Sequence, residues 1–370
     1  MRNGRAHTPV AFVRSRNGRS QPPEDHVLVT GGAGFVGCNL AHRLAQNGER
    51  VLVFDNLSRA GVEQNVAWLR SEHPESVHLL VGDVRDSHAV AEAVQNASAV
   101  FHLAAQVAVT TSLTSPVHDF EVNARGTLNL LEGLRALRNP PPLIFTSTNK
   151  VYGCLRDVAL ELRGNRYAPA NEVYARGISE NQPLDFYSPY GCSKGAADQY
   201  ILDYAQTFGL PAVVLRMSCI YGPHQFGTED QGWVAHFLIQ ALNGRPITLY
   251  GDGKQVRDIL FIHDLLDAFA LARERINELR GHAFNIGGGV ENTTSLLELV
   301  EVIGALNGDR PRVRSSDWRP GDQRYYVTDF AKFGNATGWR PRVHLRDGIT
   351  RLHEWLLETR CESPAELATA

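Results

Sequence analysis

His26-Val27-Leu28-Val29-Thr30-Gly31-Gly32-Ala33-Gly34-Phe35-Val36-Gly37 is the stretch that decides the fold. A short β-branched strand runs straight into glycines spaced G-x-x-G-x-x-G at Gly31, Gly34 and Gly37, and a helical pattern follows from Phe35 to Asn47, closed by Gly48. Strand, glycine turn and helix in that order separate a dinucleotide loop from a chance run of glycines. The missing side chains let backbone approach a pyrophosphate, and the amino end of the helix, with Phe35 and Val36 in its first turn, faces that charge. The next strand, Arg50 to Asp55, ends in a carboxylate eighteen residues after Gly37. That is where an acid accepts hydrogen bonds from an adenosine ribose. Asp55 repels a 2′-phosphate and so favours NAD over NADP; Arg59, close by, argues the other way.

Working outward, Val77 to Val81 reads as a third strand ending at Gly82-Asp83-Val84, where Asp83 is placed to cap an adenine. Ala99 to Ala105 reads as a fourth, and Leu103, Ala104 and Ala105 would let the middle of a cofactor lie against backbone. His102, inside that apolar strand, reads as a hydrogen-bonded core histidine and not as a base. A helix is expected from Val117 to Leu137. Pro142-Leu143-Ile144-Phe145 is a fifth buried strand, and Thr146, Ser147 and Thr148 emerge at its carboxyl end, the edge where open α/β sheets bind ligands. Residues 154–187 lack periodicity, and a connection of that length is usually functional. It is read as a lid over the substrate or, failing that, a mobile surface loop. Ser188-Pro189 then opens a helix with an N-cap and a proline in its first turn. Tyr190 and Lys194 lie one turn apart on one face of it. Pro211 to Arg216 is the sixth strand, and after Tyr221-Gly222-Pro223 the rhythm breaks into shorter elements.

The expectation is therefore an α/β protein, a Rossmann-type doubly wound parallel sheet with a smaller C-terminal substrate-binding lobe. Residues 1–25 read as a basic tail, 26–217 as the dinucleotide-binding domain and 218–362 mainly as the substrate lobe. Segments near 256–288 are expected to return to the first domain, and 363–370 form a tail. The chain of 370 residues is long enough for that, and 43% hydrophobic content is ordinary for a globular protein. A net charge of −3 gives no reason to expect nucleic acid, and no apolar run approaches a membrane span. Cys38, Cys154, Cys192, Cys219 and Cys361 are dispersed without C-x-x-C spacing, which suggests reduced thiols in a cytoplasm and no metal site. Cys192 is expected to be a small core-facing residue. Arg2, Arg5, Arg14, Arg16 and Arg19 crowd the first residues without the apolar stretch of a secretory signal.

A tyrosine phenol, with a pKa of about 10, is a poor base at neutral pH. A lysine ammonium one turn away and a positively charged nicotinamide both stabilise its anion. Tyr190 is thus placed to take a proton from a substrate hydroxyl as hydride leaves the same carbon. Thr148 would hold that hydroxyl, and Lys194 would also hold the nicotinamide ribose.

With these parts the chain resembles the extended short-chain dehydrogenases/reductases of the nucleotide-sugar epimerase and dehydratase class. The carriers are G-x-x-G-x-x-G, Asp55-Asn56-Leu57-Ser58, Tyr190-x-x-x-Lys194 and Gly251-Asp-Gly-Lys-Gln-Val-Arg-Asp258. Ser147 to Gly153, Ser188 to Tyr200, Asp230 to Trp233 and Ala283 to Gly288 are similar to the branch that inverts C2 of CDP-hexoses. The resemblance implies a retained NAD, held also by Asn56 and Ser58, a CDP-sugar as substrate, and a homodimer or homotetramer. It puts Arg257 and Arg319 on the diphosphate, a task suited to bidentate guanidiniums. Gln106, Asn149, Gln231 and Asp322 would touch the substrate. Sugar 4,6-dehydratases of the class carry an Asp-Glu pair after the strand-end threonine. Asn149 and Lys150 stand there instead, which disfavours dehydration. Lys150 itself is given no chemical step, and no residue is an evident reader of cytosine. A UDP-hexose or UDP-uronate 4-epimerase is the rival reading, and an NAD-sensing regulator without catalysis is the reading from another class.

Overall fold

A computed structural model describes residues 23–362; the tails expected at 1–25 and 363–370 fall almost wholly outside them. Seven strands form one parallel sheet: β1 (His26–Thr30), β2 (Val51–Asp55), β3 (Val77–Val81), β4 (Ala97–His102), β5 (Leu143–Thr148), β6 (Ala212–Met217) and β7 (Ala283–Ile286), in spatial order β7-β6-β5-β4-β1-β2-β3. β1 and β5 are buried along their whole length, which is why they read as unbroken apolar runs. The helices Phe35–Gln46 and Ile262–Glu274 cover one face, and Gly126–Arg135 and Pro189–Thr207 the other. Strand order reverses between β1 and β4, so a crevice opens beyond their carboxyl ends.

The helix expected over Val117 to Leu137 is three pieces. Pro116–Phe120 passes through a π-turn, Glu121–Arg125, into Gly126–Arg135. Asp119 and Asn123, in and beside that turn, are thereby carried beneath the Tyr190 helix, where Asn123 Nδ2 donates to Ser193 Oγ at 3.0 Å. The hydroxyls Thr146 to Thr148 do not follow β5 but belong to it, paired with Leu215, Arg216 and Met217 of β6. Cys192 is exposed, contrary to expectation. With Tyr190 and Lys194 both turned inward, the residue midway between them falls on the opposite side of the helix.

Beyond β6 the strand Cys219–Tyr221 pairs with Val256–Phe261, which also pairs with Thr293–Ser295 and Tyr325–Tyr326. Ile247–Tyr250 and Val313–Ser316 form a separate parallel pair. Within 256–288 the first strand thus stays with this second sheet, while Ile262–Glu274 and β7 return to the first. Residues 154–187 are neither lid nor loose loop. Leu160–Arg163 and Arg166–Pro169 form a hairpin. Tyr167 is tied by its hydroxyl to Asp252 and Arg166 to Thr293, and Ile178 is bridged to Thr328. Leu155, Val158 and Ile178 share a buried cluster with Val256 and Tyr326. The segment is a strap on the second sheet, and none of its residues lines the cleft described next. No helix among the described residues is long and apolar enough to cross a membrane.

Candidate active site

The glycine loop is a cradle of backbone. Gly31 has φ +68, and a Cβ there would lie 2.7 Å from Ala104 N; one on Gly37 would lie 2.3 Å from Gly31 O. Turn, helix and β4 meet too closely for any side chain, which leaves the helix amino end bare: Gly34 extends into Phe35–Gln46 with no side-chain cap. Asp55 closes the far side, accepting from Ala33 N at 3.1 Å and from Leu57 N at 2.9 Å. A bare helix terminus behind a side-chain-free turn, with a fixed carboxylate at the end of β2, fits a dinucleotide pyrophosphate and ribose. At the outer end Asn56 links Ser58, which donates to its Oδ1 at 2.7 Å, to Asp83, whose Oδ2 accepts from its Nδ2 at 2.9 Å. Arg85 grips the same carboxylate and, with Asn56, holds it well below the usual carboxylate range. Val84 puts its side chain into the core against Gly126 and offers a base only its backbone.

His102 is the core residue expected. Thr127 gives its only hydroxyl proton to Asn123 O at 2.6 Å, so His102 Nε2 donates to Thr127 Oγ1 at 3.0 Å. Nδ1 then accepts from Thr30 Oγ1 at 2.7 Å. Burial drives the imidazole down to about 3, a neutral strut between β1 and β4.

Thr148, Tyr190 and Lys194 meet on one cleft of about 410 Å³, together with Phe35, Val36, Leu103 and Ala105 from the dinucleotide side. All three are buried. Ser188 Oγ caps the Tyr190 helix by accepting from Gly191 N at 3.2 Å. Lys194 Nζ donates to Thr146 O at 2.7 Å and sits 4.2 Å from the Phe145 ring centroid. Burial brings the Lys194 ammonium down to about 7, against the pull of Asp198 and Asp119. Asp198 is already committed to Arg216 through two 2.9 Å bonds. Asp119 is held by neutral donors, Ser193 Oγ at 2.5 Å and Gln106 Nε2 at 3.0 Å. Burial pushes the Tyr190 phenol up to about 12, with a Thr148 hydrogen bond opposing. Burial, with Asp119 adding to it, is opposed by Thr148 and not by Lys194, so the lowering expected from Lys194 is not seen among the protein's own groups.

The remaining cleft wall comes from the second lobe. Arg257 lines it but spends its fork on Val256 O (2.8 Å), Asp322 Oδ1 (2.6 Å) and Gln323 O (2.5 Å). Asp322, expected on the substrate, is thus the counter-ion of Arg257. Arg319 lies 3.7 Å over the Tyr250 ring, with Asp230 at 3.6 Å. Asn149 Nδ2 donates to Gln323 Oε1 at 3.2 Å. Gln231 faces the cleft with a buried, unpartnered Oε1. Gln106 does not reach it. Its amide braces the loop after β4, donating to Ala108 O and Asp119, because Asp119 lies buried beneath it. Sequence reading did not single out Gln225 and Gln255, whose Oε1 atoms are also buried without partners, nor Tyr250 and Trp233, and it noted Ser147 only as a strand-end hydroxyl. A buried acceptor left unpaired costs about 1–3 kcal/mol. Their gathering on one cleft marks a place where ligand donors belong. Gln255, Trp233 and Ser147 sat inside quoted motifs without being given a role, and no local pattern announces Gln225 or Tyr250.

The family model "NAD dependent epimerase/dehydratase family" matches residues 27–287. CDP-paratose 2-epimerase of Salmonella typhi is 44% identical over 337 residues, covering 89% of this chain and 98% of that protein. A dTDP-glucose 4,6-dehydratase of Xanthomonas campestris pv. campestris is 33% identical over 353 residues, covering 89% and 92%. The solved UDP-glucose 4-epimerase of Thermus thermophilus, a complex with NAD, superposes with a TM-score of 0.75 at 34% identity, covering 90% of this chain and 99% of its own.

Proposed function

The chain belongs to the NAD dependent epimerase/dehydratase family, and on that premise we propose that it inverts C2 of a CDP-linked hexose of the CDP-paratose and CDP-tyvelose type. The route is transient oxidation to a ketone with retained NAD. One observation carries the choice of epimerisation over dehydration. The carboxylates lining the cleft, Glu229, Asp230 and Asp322, are all paired with arginine. Next to Thr148 stand an amide with no proton to give, Asn149, and Lys150, which spends an N–H on Gly321 O at 3.1 Å. A leaving water finds no unpaired carboxyl group there. The relative from Salmonella typhi supplies the CDP-sugar and the C2 position.

In this reading Gly31, Gly34, Gly37 and Asp55 hold the dinucleotide. NAD, when bound, supplies a reversible hydride acceptor and a positively charged ring. Thr148 holds the reacting hydroxyl, and Tyr190 takes its proton as the ketone forms and returns it on reduction from the other face. Burial keeps Tyr190 protonated until positive charge is added beside Lys194, so proton removal is confined to the loaded enzyme. Arg319, stacked and reachable, is the first guanidinium the diphosphate meets; Arg257 joins only by sharing with Asp322. We also place the enzyme in the cytoplasm, as a homo-oligomer, which sedimentation in solution would test.

Incubation with a CDP-3,6-dideoxyhexose and with UDP-glucose, followed by NMR of the products, decides the reading. Inversion at C2 of the CDP-sugar supports it. Inversion at C4 of UDP-glucose alone replaces it with the 4-epimerase, the activity named for the Thermus thermophilus structure. Release of a 4-keto-6-deoxy sugar overturns both.

A further inference from the structure

Two lysines line the cleft, and they are held differently. Lys194 is drawn under Tyr190 onto the carbonyl of Thr146. Lys150 stands on the other side of Thr148, in the turn Asn149–Tyr152. That turn is fixed at both ends. Thr148 Oγ1 accepts from Lys150 N at 3.2 Å, and Val151 and Tyr152 are fully buried. The Lys150 ammonium has one hydrogen-bond acceptor, Gly321 O. Among the described residues no carboxylate stands within ion-pair distance of it. Of the charged side chains that act on it, Arg257 repels it, and Asp322 attracts it but is already bound to Arg257 at 2.6 Å. Lys150 and Arg257 set against Asp322 leave one positive charge uncompensated, half-buried and next to the strand-end threonine.

We propose that Lys150 binds the phosphate on the anomeric carbon of the substrate and so selects C2 as the ring carbon that meets Tyr190. The inference rests on the nucleotide-sugar reading above and adds a residue that fixes its regiochemistry. In any pyranosyl diphosphate C2 is bonded to C1, the carbon that carries the phosphate, whereas C4 lies across the ring. An enzyme that oxidises C2 must hold the phosphate close to the carbon that loses hydride. The cation for it then belongs beside the threonine and tyrosine. An enzyme that oxidises C4 meets the phosphate at the far end of the sugar, and a lysine beside the threonine would face uncharged ring hydroxyls. Lys150, two residues from Thr148, fits the first arrangement. A partly buried ammonium without a carboxylate partner gains most from an anion, because the low surrounding dielectric strengthens the pair. Arg319 and Arg257 are left to the outer phosphate.

The test compares binding of CDP with that of cytidine to the NAD-loaded protein by calorimetry, for wild type, Lys150→Met and Lys150→Arg, repeated with UDP and uridine. Lys150→Met is expected to weaken the diphosphate about 10- to 100-fold, the size of a charge-assisted bond, with nucleoside binding unchanged. Lys150→Arg should restore most of the loss. Equal diphosphate affinity in wild type and Lys150→Met overturns the proposal even if C2 activity is found. A selective loss of diphosphate affinity with C4 activity on UDP-glucose keeps the phosphate contact but removes its role in choosing C2. Should Lys150→Met lose its NAD or melt early, Lys150→Gln provides the same neutral comparison.

Discussion

On the dinucleotide side of the cleft, Gly31, Gly34 and Gly37 fall within seven consecutive residues and do their work as backbone. On the sugar side, Gln225, Gln231, Tyr250, Gln255, Arg257 and Arg319 arrive from segments scattered between residues 225 and 319 and meet as side-chain tips. The first wall is complete as it stands: its contacts are too tight for a Cβ, and its Asp55 is satisfied by Ala33 and Leu57. The second is left open, with buried acceptors on three glutamines that the protein does not pair. A backbone site is specified by what cannot fit, and a side-chain site by what has not yet arrived. Substitutions in the first should therefore cost stability and cofactor together, whereas substitutions in the second should cost ligand affinity alone.

The largest effect is expected at the seam between the walls. Tyr190→Phe removes the proton acceptor while leaving ring and packing, so turnover should fall about 10³-fold with the NAD content of the purified protein unchanged. Absorbance of released cofactor and a turnover assay read the two quantities separately. Turnover within tenfold of wild type would remove Tyr190 from its role.

A second comparison sets Gly37→Ala against Gln231→Ala. The new methyl at residue 37 has Gly31 O at 2.3 Å and Gly32 Cα at 2.6 Å, both backbone, so turn and helix must separate. Overpacking of this kind costs about 1–3 kcal/mol, and the purified protein should carry little NAD. Gln231→Ala instead removes an unsatisfied buried oxygen, and its urea midpoint should stay at or slightly above that of wild type while KM rises. Equal stability losses in the two variants would erase the distinction between the walls.

Legibility in sequence follows the same division. Six of the seven strands could be read one by one, because burial writes itself as apolar runs like those of β1 and β5; the seventh, Ala283–Ile286, was expected only as part of a segment returning to the first domain. Ser188-Pro189 announced the Tyr190 helix because a cap and a first-turn proline are local chemistry. Cys192 was misplaced because helix phase was not carried from Tyr190 and Lys194 to the residue between them. The strap over 154–187 was unreadable as such, since its anchors, Asp252, Thr293 and Thr328, lie far along the chain. Gln106 and Asp322 fell on the right loops, but one is bound to Asp119 and the other to Arg257, and pairings of that range leave no periodic trace.

The smallest prediction bears on where the two walls join, because Lys194 is a cation that the fold buries without an ion pair among the described residues. Its folded pKa lies near 7, below the ordinary lysine value of 10.5. Between those two values the unfolded chain binds a proton that the native protein has released, so stability rises with pH there, by up to about 1.4 kcal/mol per pH unit from this one group. Other groups bound the useful window. His102 and His224, lowered to about 3 and about 4, add a slope of the same sign that is spent once the unfolded imidazoles lose their protons near pH 6.5. The buried Cys38 thiol, raised well above its ordinary 9.0, reverses the trend above pH 9. Urea unfolding at pH 7, 8 and 9 should therefore show increasing stability in the wild type and a much flatter profile in Lys194→Met; Lys150 and Lys332 are also lowered by burial, and any slope they add has the same sign. A wild-type profile as flat as the variant's would mean that Lys194 keeps its proton in the folded protein through a partner other than Thr146 O, and the seam would then be as well satisfied as the glycine wall.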